Sequence, residues 1–102
     1  MQEHRQRLDK WLWFARFART RPAAVRLVEG GHVRIEGRRA ENPAQGIRVG
    51  AVLTLALPHA TMVVRVLDFA ERRGPFETAR QLYERLDGGS GDAPLAEAEG
   101  EG

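Results

Sequence analysis

The sequence predicts an α+β domain: two N-terminal helices packed on a small, mostly antiparallel sheet, followed by a C-terminal helix. Three observations carry that expectation. Apolar residues recur at helical spacing up to Glu29, alternate along several short stretches from His32 to Phe69, and return to helical spacing from Phe76 to Leu86. With 102 residues, the chain has enough material for one small domain and too little for two.

Each element has its own warrant. Leu8, Trp11, Leu12, Ala15 and Ala18 keep the i, i+3, i+4, i+7 spacing that gathers side chains on one helical face, so a first helix is expected over residues 8–18. Arg19-Thr20-Arg21-Pro22 interrupts it. Thr20 suits an N-cap and Pro22 the first turn of a second helix, which runs to about Glu29 and stops at Gly30-Gly31. Ala24, Leu27 and Val28 form its inward stripe. Strands must then close the core, because two short helices cannot bury both their faces against each other. Val33 and Ile35 alternate with polar neighbours, and Gly37 marks a tight turn toward a strand over residues 38–40. After an irregular stretch over residues 43–50, strands are expected over 51–57 and 61–69, joined at Pro58-His59-Ala60 as an antiparallel hairpin. Phe76, Ala79, Leu82, Tyr83 and Leu86 then fit a third helix. The folded domain is expected over residues 1–86. Residues 87–102 are mostly Gly, Ala, Glu and Asp with few apolar groups, and are expected to form a disordered acidic tail.

Charge is distributed unevenly. Lys and Arg number 16 against 14 Asp and Glu, for a net charge of +2 and a pI near 9.9. Residues 1–50 hold 11 basic and 5 acidic groups, whereas residues 87–102 hold 5 acidic groups and no basic one. A compact basic surface points first to nucleic acid, where neutralising phosphates releases counterions. No apolar run reaches the roughly 18 residues of a membrane span, and residues 1–7 lack the apolar core of a secretory signal, so the expected setting is cytoplasmic, with no membrane partner. With 0 Cys and three dispersed His residues, neither a disulfide framework nor a metal site is expected.

The informative constellation is Arg7-Leu8-Asp9-Lys10-Trp11-Leu12, then Arg16-Phe17-Ala18, Thr20-Arg21, Ala24, Leu27-Val28, Gly30-Gly31, Val33 and Gly37. Cations flank the first helix and the corner, where guanidinium forks can meet phosphate oxygens bidentately, and the start of the second helix offers oriented amides. The order RLDxxLxxxRFAxTR, AxxLV, GG, VxxxG resembles the alpha-L RNA-binding domain first known from the fourth protein of the small ribosomal subunit. Closer still, RLDKWLWFARFARTR together with ERRGPFETARQLYE at residues 71–84 resembles the fifteen-kilodalton bacterial heat-shock protein family. That resemblance implies a free-standing, non-enzymatic factor that binds ribosomal RNA of the large ribosomal subunit, with tRNA as a further partner, when a nascent chain is stranded there during stress. It also implies that Arg7, Lys10, Arg16, Thr20 and Arg21 face RNA while Leu8, Leu12, Ala24, Leu27 and Val28 fill the core. The family often carries a basic C-terminal extension, whereas this chain ends in an acidic one.

The candidate RNA-binding residues are Arg7, Lys10, Trp13, Arg16, Arg19, Thr20, Arg21, Arg26, Arg38 and Arg39. Taken singly, an Arg is more often solvated surface than site, and 15 Arg against one Lys shows compositional bias. Five cations within residues 7–21, on a matching motif, tip the balance toward function; Arg26, Arg38 and Arg39 rest on charge alone. Trp13 falls on the polar flank between Asp9 and Arg16, where it could stack on an unpaired base, although packing against the rest of the fold is the first explanation. Asp9 is read as local, orienting a neighbouring cation such as Arg16 on the same face and favouring the helix N-terminus. Gly30-Gly31 belongs to no phosphate loop, and no acid/base pair, nucleophile triad or metal spacing supports catalysis or a cofactor. A monomeric RNA-binding protein is expected. The rival readings are an adaptor holding an acidic protein partner and an RNA-binding accessory to a separate RNA-modifying enzyme.

Overall fold

A computed structural model describes residues 4–87, so the expectation of a disordered tail lies outside the described residues except at Asp87. A two-residue strand β1 (Gln6–Arg7) leads into α1 (Leu8–Phe14), and α2 spans Arg21–Glu29. Then come β2 (Val33–Ile35), β3 (Arg38–Arg39), β4 (Gly46–Ile47), β5 (Val52–Leu57) and β6 (Ala60–Val66). The last elements among the described residues are α3 (Phe76–Ala79), a 3₁₀ turn (Arg80–Leu82) and β7 (Tyr83–Arg85). Five strands form one antiparallel sheet in the order β3-β2-β5-β6-β7, and β1 pairs separately with β4.

The core lies between the helix pair and one face of this sheet. Leu8, Trp11, Leu12, Ala24 and Val28 bring the inward stripes of α1 and α2 onto Val33, Leu53, Leu55, Val64 and Val66, all fully buried. Each such Leu or Val contributes on the order of 1.5–3 kcal/mol through removal from water. Period-two alternation fixes the register: Leu53 and Leu55 point inward opposite Val64 and Met62, while Ala56 between the strand ends faces out. Trp11 fills the centre, and its indole Nε1 donates to the Asp68 carbonyl at 3.0 Å, so the one polar atom of the ring is satisfied.

Two helices are shorter than their apolar spacing suggests. The first ends at Phe14 rather than at residue 18 because Arg16 enters the left-handed region (φ 68°). The Arg16 amide donates to the Trp13 carbonyl at 3.1 Å and the Phe17 amide to that of Leu12 at 3.0 Å, the paired bonds that close a Schellman turn. Ala15 and Ala18 are still buried, but through the corner rather than through continued helix. The expected third helix stops after Ala79. Tyr83–Arg85 instead pair with Val64–Val66 and cover the otherwise open edge of β6. Phe76 and Leu86, the two ends of the anticipated helical stripe, stand exposed at 58% and 40%. Strand β6 likewise ends at Val66, three residues before the expected limit, and the β1–β4 clip has no sequence signal longer than two residues. Among the described residues no helix is long and apolar enough to cross a membrane.

Candidate nucleic-acid interface

The N-termini of α1 and α2 meet at Asp9. Its carboxylate is 1% exposed and faces two arginines: Arg7 Nη2 lies 3.0 Å from Oδ2, and Arg21 Nη2 lies 3.7 Å from Oδ1. Arg7 Nε also donates to Oδ1 at 3.1 Å, making that pair bidentate. The hydrogen bond from Arg7 to Asp9, with the attraction of the carboxylate's charge, raises the Arg7 pKa above its ordinary value. The two guanidinium side chains remain 50% and 37% exposed. A buried acid thus holds two cations side by side, one just before α1 and one opening α2, while leaving them open to solvent. Asp9 does orient neighbouring cations, but they are Arg7 and Arg21; Arg16, the neighbour suggested by helical spacing, is engaged elsewhere.

The oriented amides expected at the start of the second helix are largely in use, as are two at the start of the first. Leu8 and Asp9 donate to the Gln45 and Pro43 carbonyls at 2.9 and 3.0 Å. In α2, Pro22 has no N–H, the Thr20 hydroxyl accepts from the Ala23 amide at 3.1 Å, and the Ala24 amide bonds the Thr20 carbonyl. Thr20 therefore caps its own helix, and what this face offers an anion is charge.

The remaining candidates fall into separate places. Arg19 is exposed beside this pair in sequence, and Lys10 stands 5.9 Å from the centre of the Phe14 ring. Arg26 stands in the last turn of α2, about 7–8 Å of helical rise from Arg21, and Arg39 on β3 has its guanidinium against Gly31, just past the end of that helix. Arg38 is exposed on β3. Arg16 instead turns to the segment before α3, donating from Nε and Nη2 to the Gly74 carbonyl at 3.0 and 2.8 Å. Trp13 is half-buried, stacked on Phe14 with centroids 5.4 Å apart, and has the Arg73 guanidinium 5.9 Å from its ring centre.

Residue spacing does not single out Arg73. Its Nε donates to the Trp13 carbonyl at 3.1 Å and its Nη2 to that of Ala18 at 3.4 Å, so it hooks the carbonyl end of α1 and the corner that follows. Helical or strand periodicity carries no trace of such a hook; only the resemblance over residues 71–84 drew attention to the segment.

Residues 6–53 match the family described as S4 domain. Over 78 residues, 76% of this chain, the sequence is 42% identical to heat shock protein 15 of Escherichia coli strain K12, and it spans 58% of that relative's length. A solved structure of heat shock protein 15 from Vibrio cholerae, described as trimeric, superposes with a TM-score of 0.77 at 38% identity, covering 82% of this chain and 84% of the other. The chain belongs to the heat shock protein 15 family. The shared part of the fold extends beyond that family: small ribosomal subunit protein uS4 of Listeria welshimeri is 40% identical over 50 residues, 49% of this chain and 25% of the ribosomal protein. In this member of the heat shock protein 15 family, the S4 segment contains both helices, the Asp9 cluster and the first hairpin, and the later strands and Arg73 complete the packing around it.

Proposed function

We propose that this heat shock protein 15 family member is a non-enzymatic RNA-binding protein of the cytoplasm. It grips folded ribosomal RNA of the large ribosomal subunit, with tRNA as a further partner, in the rescue of subunits that hold a stranded nascent chain under stress. The observation that carries the RNA part is the buried Asp9 carboxylate, which fixes Arg7 and Arg21 beside one another with both side chains open to water. Guanidinium groups preset in this way lose less freedom on meeting phosphate oxygens than free side chains would. Lys10 and Arg19 extend this face, and Arg26, Arg38 and Arg39 extend it along α2 and the first hairpin; Arg16, Trp13 and Thr20 serve it from beneath by fixing the corner. Recognition follows backbone shape, because the deep groove of A-form RNA is too narrow for side chains to read. The ribosomal part of the proposal is supported by the family likeness.

Titration of a structured ribosomal RNA fragment against salt tests the mechanism. Engagement of about five phosphates gives a slope of log affinity on log salt of roughly −3 to −4. Arg7→Glu and Arg21→Glu should each lower affinity far more than Arg80→Glu, whose native guanidinium sits 5.7 Å over the Phe76 ring away from the cluster. A salt-independent affinity, or partner capture that survives RNase, would replace RNA by an acidic protein.

A further inference from the structure

A cleft of about 310 Å³ opens between the α1–α2 corner, the outer flank of α2 and the β5–β6 turn, lined by Phe17, Ala23, Arg26, Leu27, His32 and Pro58. Its wall is mostly apolar, and its volume is at the lower end of the range of about 300–1,000 Å³ found for small-molecule sites. Phe17 is held rigid from behind, with its ring centre 4.7 Å from that of Tyr83 and 5.9 Å from that of Trp11. The rim carries two groups suited to a nucleotide: exposed Arg26 and exposed His32.

His32 is seated by the absence of a side chain at Gly30. A Cβ there would stand 2.9 Å from His32 Cδ2 and 3.0 Å from Nε2, so the imidazole occupies the space beside Gly30 at the end of α2. The His32 amide bonds the Leu27 carbonyl at 3.0 Å and its carbonyl accepts from Ala56 at 2.8 Å, which pins the backbone on both sides of the cleft. A planar group at the mouth of an apolar slot, beside a cation, is the arrangement that takes an unstacked base with its phosphate outside. A larger cleft, of about 670 Å³, lies between the segment after β6 and α3; its lining sets Asp68 and Glu71 against Arg72, a net negative charge that disfavours an anionic chain.

We propose that this cleft receives a single unpaired nucleobase of the bound RNA, stacked on His32 and packed against Phe17 and Leu27, with Arg26 on the adjoining phosphate. The proposal rests on the RNA-binding reading above and adds to it a preference for RNA that presents a flipped-out nucleotide.

The test compares a fully paired RNA hairpin with the same hairpin carrying one bulged 2-aminopurine. The native chain should bind the bulged RNA roughly 5- to 100-fold more tightly, as expected for stacking of one base, with quenching of the probe's fluorescence. Ala23→Leu, which fills the slot, and His32→Ala, at an exposed position that the fold does not depend on, should each bring that ratio close to one while leaving affinity for the paired hairpin unchanged. Circular dichroism establishes that Ala23→Leu is folded; if it is not, His32→Ala alone decides. Equal binding of both RNAs by the native chain, or a ratio untouched in the folded variants, overturns the cleft and leaves the RNA reading intact. An equal loss for both RNAs in His32→Ala assigns His32 to the backbone and also overturns it. Failure to bind either RNA overturns both proposals together.

Discussion

The carboxyl ends of α1 and α2 close with the same hydrogen-bond pattern around different residues. At the end of α2 the left-handed position is Gly31 (φ 84°), with its amide on the Val28 carbonyl and the His32 amide on that of Leu27. At the end of α1 the same position is Arg16 (φ 68°), bonded to Trp13, with Phe17 bonded to Leu12. Glycine adopts this conformation without steric penalty, and the bare surface it leaves is where the Arg39 guanidinium rests. Arginine adopts it under strain of roughly 1–2 kcal/mol, and the surroundings hold it there: Arg16 bonds Gly74, and Arg73 hooks the carbonyls of Trp13 and Ala18. Cations around this helix pair thus have two occupations. Those at the N-terminal cluster face outward, whereas those around the end of α1 are bound into the backbone they support.

The comparison breaks most visibly at Gly31. Gly31→Ala forces a side chain into the left-handed region and brings its Cβ within 3.0 Å of the Arg39 guanidinium, which must leave its seat. We expect a loss of about 2 kcal/mol, or a fall in Tm of roughly 10 °C for a domain of this size. Denaturant unfolding followed by tryptophan fluorescence measures it, and an unchanged midpoint would mean that the turn relaxes freely. Next in size is Arg73→Ala. It strips two charge-assisted bonds from the corner after α1 and uncovers one face of Trp13, so about 1.5 kcal/mol of stability should go. Arg73→Lys should restore little, because a single ammonium cannot reach both carbonyls as the planar fork does.

These two sites also mark how far the sequence could be read. Gly30-Gly31 after an amphipathic stretch announces a helix end, and Thr20-x-Pro22 announces a start, because both depend on the conformational range of the residue itself; α2 appears over Arg21–Glu29 as expected. Arg16 announces nothing, since arginine in a left-handed turn is selected by contacts with Gly74, 58 residues away. The final segment was misjudged for a similar reason. Its apolar spacing suits a helix, but the open edge of β6 claims Tyr83–Arg85 as a strand, and of the five apolar residues in that spacing only Ala79 and Leu82 are buried. The candidate site was legible as a group of cations on a motif. Which of them share a carboxylate, and which are spent on backbone carbonyls, depends on packing that no spacing encodes.

The finest test of the comparison lies at Arg16 itself. Both Arg16→Ala and Arg16→Gly remove the bonds to Gly74, so any difference between the two variants reports the backbone alone. Alanine retains the left-handed strain, while glycine removes it and adds some freedom to the unfolded chain. Glycine should therefore be the more stable by roughly 0.5–1 kcal/mol. If Arg16 is mainly a tether, the glycine variant should also keep a salt slope for RNA binding close to that of the native chain, unlike Arg7→Glu or Arg21→Glu, each of which should flatten it by about one. A glycine variant that is as stable as the native chain yet loses a full unit of slope would move Arg16 from the backbone's service to the phosphate's, and would extend the outward-facing group of cations along the whole of α1.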